Sequence, residues 1–180
     1  MAAGVASGFP CDHVTSRAVN AAIITISSSV AAGRSEDVSG QALRELTEAS
    51  GAEIAATEVV SDDQRAIEEA LRRHVEADID LIFTTGGTGL TPDDVTPEAT
   101  RAVIDRDAPG FAEAMRAESL RYTPMGIVSR GVSGISGRTL IINFPGNPKS
   151  IGQLFGLIAP TLEHVVATLK REPGTPTHGH

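Results

Sequence analysis

Apolar positions along this chain fall into two alternating patterns: short continuous runs, and longer stretches with helical spacing. Ala21-Ala-Ile-Ile-Thr-Ile-Ser27 is a run of small and β-branched residues, apolar at odd and even positions alike. Such a run predicts a strand covered on both faces, as in a parallel sheet. Glu53–Val60 predicts a second strand, Ile79–Thr84 a third, and Arg138–Phe144 the clearest strand of the C-terminal half. Between the first two, Ser35 is expected to cap a helix reaching about Ser50, with Val38, Ala42, Leu46 and Ala49 inward and Gly51 as the stop. Ser61 and Gln64 have capping-box spacing, which predicts a helix to about Ala77 with Ile67, Leu71 and Val75 inward.

The second half is less regular. Thr96 as cap and Pro97 as first residue predict a helix to about Ile104. A further helix is expected over Phe111–Arg121, with Phe111, Met115 and Leu120 inward, and a weak strand and tight turn over Gly131–Gly137. Ile151, Leu154, Phe155, Ile158, Leu162, Val165, Val166 and Leu169 then recur at helical spacing, and Pro160 among them predicts two helices or a kink. Strands alternating with helices predict a single doubly wound α/β domain with a mostly parallel sheet, over residues 19–171. Residues 1–18 and 172–180 are small, polar and rich in Gly and Pro, and are expected to be disordered extensions.

Composition narrows the function. A net charge of −8, five Phe, one Tyr and no Trp argue against a nucleic-acid-binding protein, which needs cationic surface and stacking rings. An anionic ligand must therefore be met by local donors, not by the field of the whole molecule. The lone cysteine, Cys11, allows no disulfide within the chain and reads as incidental, as do His178 and His180 in the tail. The N-terminus lacks a basic region and a long apolar region, and no apolar run approaches the roughly 20 residues that span a bilayer. A cytoplasmic, non-membrane protein is expected.

The candidate chemistry sits where strands are expected to end, because an open α/β sheet binds ligands beyond the carboxyl ends of its strands. Gly86-Gly87-Thr88-Gly89 follows the third strand and precedes a helix. Successive amides in such a turn, with the helix N-terminus behind them, suit a phosphate group. The turn is neither a Walker A loop nor a Rossmann fingerprint. Asp93 and Asp94 come next. A carboxylate beside a phosphate repels it by roughly 4 kcal/mol at 4 Å unless a cation intervenes, and Mg²⁺ accepts such ligands. Asp94 is the candidate ligand, and Asp93 is expected to complement the helix N-terminus. The spacing leaves Asp62 open between that same helix role and a functional one. Pro145-Gly146-Asn147-Pro148-Lys149-Ser150 offers amides, the Asn147 amide group, a cation and a hydroxyl, which favours an anion site over a mere turn. Ser27-Ser28-Ser29 ends the first strand, and Ser129-Arg130 is a further donor pair. His74 and His164 lie in helical patterns and read as packed or surface residues.

These motifs together resemble a known family. Thr84-Thr-Gly-Gly-Thr-Gly89 with Asp94-Val-Thr-Pro97, Pro109-Gly-Phe111 with Met115-Arg116, Ser129-Arg130, and Asn143-Phe-Pro-Gly-Asn-Pro-Lys-Ser150 look like the molybdenum-cofactor biosynthesis proteins of MogA/MoaB type. The resemblance covers about 20–170. It implies a three-layer α/β/α fold, a homotrimer and molybdopterin adenylyltransferase activity, in which molybdopterin and Mg·ATP are the substrates and a molybdate-inserting protein is a further partner. It implies that Gly86, Gly87, Thr88 and Gly89 hold nucleotide phosphates and that Asp62 and Asp94 are the two functional aspartates, with Mg²⁺ as their metal. It implies that Ser27, Ser129, Arg130, Pro145, Gly146, Asn147, Lys149 and Ser150 border the pterin crevice. Many members carry an aspartate after the first strand, and this chain has Ser28 there. That departure keeps a non-catalytic pterin-binding paralogue as an alternative, and a related nucleotide pyrophosphatase is the other.

Overall fold

Strand β1, Asn20–Ile26, sends Ala21 and Ile23 to one face of the sheet and Ala22, Ile24 and Ile26 to the other, and all five are buried. That double burial is what the continuous apolar run required. The computed structural model describes residues 18–171. The extension predicted for 1–18 (Ala18 excepted) with its Cys11, and the tail 172–180 with His178 and His180, lie outside the described residues.

After β1 come α1 (Ser28–Ala31), α2 (Val38–Ala49), β2 (Glu53–Val60), α3 (Gln64–Glu76), β3 (Leu81–Thr85) and α4 (Thr96–Arg101). The second half adds β4 (Arg106–Asp107), α5 (Pro109–Ser119), a 3-10 segment (Pro124–Val128), β5 (Ser133–Ser136), β6 (Thr139–Phe144) and α6 (Pro148–Leu169). The strand order is β2-β1-β3-β6-β5-β4. β2, β1, β3 and β6 run parallel, and β5 and β4 are antiparallel additions at one edge. Helices α2, α5 and α6 cover one face over Ile23, Phe83, Leu140 and Ile142. Helices α3 and α4 cover the other over Ile24, Ile82 and Ile141. The result is the three-layer α/β/α sandwich. Burial of a large apolar side chain contributes roughly 2 kcal/mol, and slipping any central strand by one residue would exchange its two faces, so the register is strongly specified.

Several helix starts differ from expectation, each because a tertiary partner decides the cap. The cap of α2 is Asp37, not Ser35: its Oδ1 accepts from Gly40 N at 2.8 Å while its Oδ2 accepts from Thr25 Oγ1 at 2.8 Å. The inward face is therefore Gly40, Leu43 and Thr47, with Leu46 partly buried, and Val38 is 54% exposed. Asp63 caps α3 by accepting from Ala66 N at 2.9 Å, and Gln64 turns instead to Glu68, so Ser61 is not the cap. Thr96 belongs to α4 itself and donates its hydroxyl to Gly86 O at 2.8 Å; Val95 stands at the cap without a side-chain bond.

Helix α6 runs as one helix through Pro160, so of the two expected outcomes the break into two helices does not occur. The carbonyl that loses its partner is that of Gly156, and both residues lie on the exposed face, where water can satisfy it. The serine loop after β1 is partly a turn of helix, α1, and the 3-10 segment was not expected at all.

Candidate active site

Three strand-end loops meet at Gly86. Its φ is +103°, and a Cβ there would lie 2.2 Å from Ile26 O at the end of β1, so no side chain fits. Gly86 N donates to Phe144 O at 3.3 Å, Thr85 Oγ1 donates to Pro145 O at 2.9 Å, and Gly146 lies so close that its own Cβ would be 3.3 Å from Gly86 Cα. Gly87, at φ +61°, is pressed against Thr96 Oγ1. Close packing thus demands the first two glycines, Gly86 against backbone and Gly87 against the Thr96 side chain. The sheet order reverses between β1 and β3, so this meeting point is the topological switch of the fold.

Asp94 follows the turn. Its Oδ2 accepts from Thr91 N at 2.8 Å and from Thr91 Oγ1 at 2.6 Å. Burial raises its pKa, but the Thr91 bonds, the Gly89 amide and the Arg130 charge outweigh it and hold the carboxyl below the ordinary aspartate value. It is ionised at neutral pH and packed against Gly89, whose added Cβ would lie 2.9 Å from it.

Arg130 is spent on the protein. Its backbone N donates to Thr88 O at 2.9 Å, Nε to Gly89 O at 2.6 Å, and the two terminal nitrogens to Asp94 O and to the Glu98 carboxylate. The Arg130 hydrogen bond lowers the Glu98 pKa, more than burial raises it. The guanidinium thus braces the glycine turn.

Asp62 is not the first residue of α3, since Asp63 performs the capping. Instead Asp62 Oδ2 accepts from Ser28 N at 2.7 Å and Asp62 N donates to Ser28 Oγ at 3.0 Å. Ser27 Oγ stays local, accepting from Val30 N at 3.4 Å and lying 3.1 Å from Ser29 Oγ.

Beside the turn opens a cavity of about 240 Å³. Of the residues singled out from sequence it gathers Thr88, Gly89, Ser129, Pro145, Asn147 and Ser150. Ser27, Asp62, Gly86, Gly87, Asp94, Arg130, Gly146 and Lys149 are not in its wall; they lie along the neighbouring strand ends and loops, and Lys149 is exposed. Asn147 Oδ1 accepts from Lys149 N at 3.1 Å and so caps α6. The opposite wall is Met115, Arg116, Ser119, Thr123 and Met125. Of these, Met115 was expected as core, and Met115 and Arg116 carried the family resemblance without being assigned to the site. Thr123 and Met125 belong to the unexpected 3-10 segment and its cap, which offer no periodicity to read. Asn143 completes the floor: its Nδ2 donates to Thr84 Oγ1 and Thr100 Oγ1, both at 3.0 Å, and its Oδ1 accepts from Val132 N at 3.1 Å. This buried amide is fully satisfied and joins β3, α4 and β6 to the segment before β5.

No group of three or more His, Cys, Asp or Glu that could hold a metal occurs among the described residues. Mg²⁺ needs fewer protein ligands, one or two carboxylates with phosphate oxygens and water. Asp94, ionised beside the glycine turn after β3, and Asp62, two strands away after β2, are carboxylates of the kind such a site uses.

Fold and site together define a doubly wound α/β domain whose ligand crevice lies at the switch point, walled on one side by a glycine turn. A family model described as a probable molybdopterin binding domain matches residues 22–164. Over 155 residues the chain is 38% identical to a molybdopterin adenylyltransferase of Helicobacter pylori, covering 82% of this chain and 86% of that protein. It is 37% identical over 149 residues to the molybdenum cofactor synthesis protein cinnamon of Drosophila melanogaster, covering 80% of this chain and only 24% of that longer protein. The crystal structure of the molybdopterin biosynthesis enzyme MoaB from Thermus thermophilus superposes with a TM-score of 0.80 at 42% identity, over 87% of this chain and 99% of that one. The chain belongs to the molybdopterin-binding domain family of MogA/MoaB type.

Proposed function

We propose that the protein is a molybdopterin adenylyltransferase, a nucleotidyltransferase of molybdenum cofactor biosynthesis. The observation that carries the reading is that Thr88 and Gly89 belong both to the glycine turn and to the wall of the cavity. A nucleotide held at the turn and a pterin held in the cavity are then neighbours across two residues. The terminal phosphate of molybdopterin attacks the α-phosphorus of ATP; the new P–O bond forms as the bond to the β-phosphate's bridging oxygen breaks, and pyrophosphate leaves. The nucleophile needs no protein base, because a phosphate monoester with a second pKa of about 6 is largely ionised at neutral pH. The work left to the chain is positioning and charge neutralisation.

The amides of the Gly86–Gly89 turn hold the nucleotide phosphates. Asp94 and Asp62 would hold Mg²⁺, which would offset the repulsion between carboxylates and phosphates. Lys149, at the exposed start of α6, neutralises phosphate charge. Met115, Met125, Ser129, Pro145, Gly146, Asn147 and Ser150 surround the pterin, the thioethers packing on its ring. Ser27 acts by capping α1, and Arg130 by bracing the turn. The enzyme works in the cytoplasm as a homotrimer, and its adenylylated product passes to a molybdate-inserting partner. An apolar furrow between α5 and α6, lined by Phe111, Leu157, Ile158 and Val165, supplies a face for copies to share.

Incubation with molybdopterin and Mg·[α-³²P]ATP tests the proposal. Label in a pterin adduct with release of pyrophosphate is the expected result. Pterin binding that is indifferent to ATP, with no labelled adduct, would overturn it.

A further inference from the structure

We propose that Ser28 is a positioning residue for Asp62, holding it in the orientation that adenylyl transfer requires. The inference rests on the proposed function. Asp62 occupies a turn between β2 and α3 in which the neighbouring Asp63 does the helix capping, so its carboxylate has no local duty. Both of its polar ends are nevertheless tied to one residue 34 positions away: Asp62 N donates to Ser28 Oγ at 3.0 Å, and Ser28 N donates to Asp62 Oδ2 at 2.7 Å. One bond fixes the main chain and the other fixes a carboxylate oxygen.

The pair continues the β1–β2 ladder. Ile26 pairs with Val60, and Ser27 N donates to Val60 O at 2.9 Å just before the clip begins. Ile26 O in turn is the atom that excludes any side chain at Gly86. Asp62 is therefore referenced, through Ser28 and the end of β1, to the turn that meets the nucleotide. Ser27 and Ser29 turn their hydroxyls toward each other, so among the three serines it is Ser28 whose hydroxyl meets Asp62. A serine also performs this task without placing a second negative charge beside Asp62, as an aspartate at 28 would.

The test uses Ser28→Ala and Ser28→Thr in the full chain. The alanine variant loses the acceptor for Asp62 N, and kcat is expected to fall about ten-fold, the scale of lost outer-shell partners, with KM for Mg·ATP unchanged. The threonine variant keeps the hydroxyl and recovers most of the loss. Hydrogen exchange of the Asp62 amide is expected to quicken in the alanine variant and stay slow in the threonine variant. Wild-type kcat in Ser28→Ala, no recovery in Ser28→Thr, or an Asp62 amide still protected without the hydroxyl would each overturn the inference. A wild-type protein without adenylylation would sink the functional reading instead, and the exchange measurement would still decide whether Ser28 holds Asp62.

Discussion

Arg130 joins three separate stretches of the site with one side chain, reaching Gly89 O, Asp94 O and the Glu98 carboxylate. A lysine offers one compact ammonium and cannot span that fork. Arg130→Lys is expected to lower turnover by about ten-fold or more and to quicken amide exchange across residues 86–94, measured by mass spectrometry. The same contacts set a pH dependence. Glu98 is held below its ordinary value of 4.5, first by the Arg130 hydrogen bond against burial. A depressed carboxylate pKa contributes stability that is complete above the ordinary value and lost as pH falls through the lowered one. Thermal unfolding at pH 7 and pH 3 is expected to show a larger drop in Tm for wild type than for Glu98→Gln. Among single residues, the place of Asp94 against Gly89 was legible because it follows the glycine turn within a few residues. Asp62 stayed ambiguous because Ser61 and Gln64 mimic a capping box that the fold does not use. Glu98 reads in sequence as an ordinary acid in a first helical turn, and nothing in the chain announces its distant arginine.

Elements were legible where burial alone decides them and less so where a distant partner does. The double-sided apolar runs gave β1, β3 and β6 to within a residue or two, because a strand covered on both faces leaves no other pattern. The caps of α2 and α4 were misplaced because Thr25 engages Asp37 and Gly86 engages Thr96, contacts that exist only after the sheet forms. The 3-10 segment has no periodic apolar face, and its Thr123 cap and its place over the cavity come from tertiary packing. Helix α6 shows the reverse case: the long apolar stripe that packs on the sheet keeps it one helix across Pro160. A proline in a helix interior still costs about 3 kcal/mol in general, part of which water relieves here. Pro160→Ala is expected to stabilise the protein by about 1 kcal/mol or more in urea unfolding; a lower midpoint would show that the proline is needed for packing.

At the scale of the whole molecule, the loops after β1, β3 and β6 meet at the carboxyl ends of the central strands, and an apolar furrow lies between α5 and α6, where Leu157 is 42% exposed. No helix among the described residues is long and apolar enough to cross a membrane. If copies share that furrow, Leu157→Asp should convert a trimer into monomers by light scattering while leaving the helical circular dichroism intact. A trimer that survives the substitution places the shared face elsewhere. The central claim is that the switch-point turn, with Asp94 beside it, holds a nucleotide for attack by the pterin phosphate. Transfer of label from Mg·[α-³²P]ATP to molybdopterin, run side by side for wild type and Asp94→Asn, measures it most directly. A labelled adduct from wild type and none from the folded variant is the expected result; equal labelling by both, or none by either, would contradict that role.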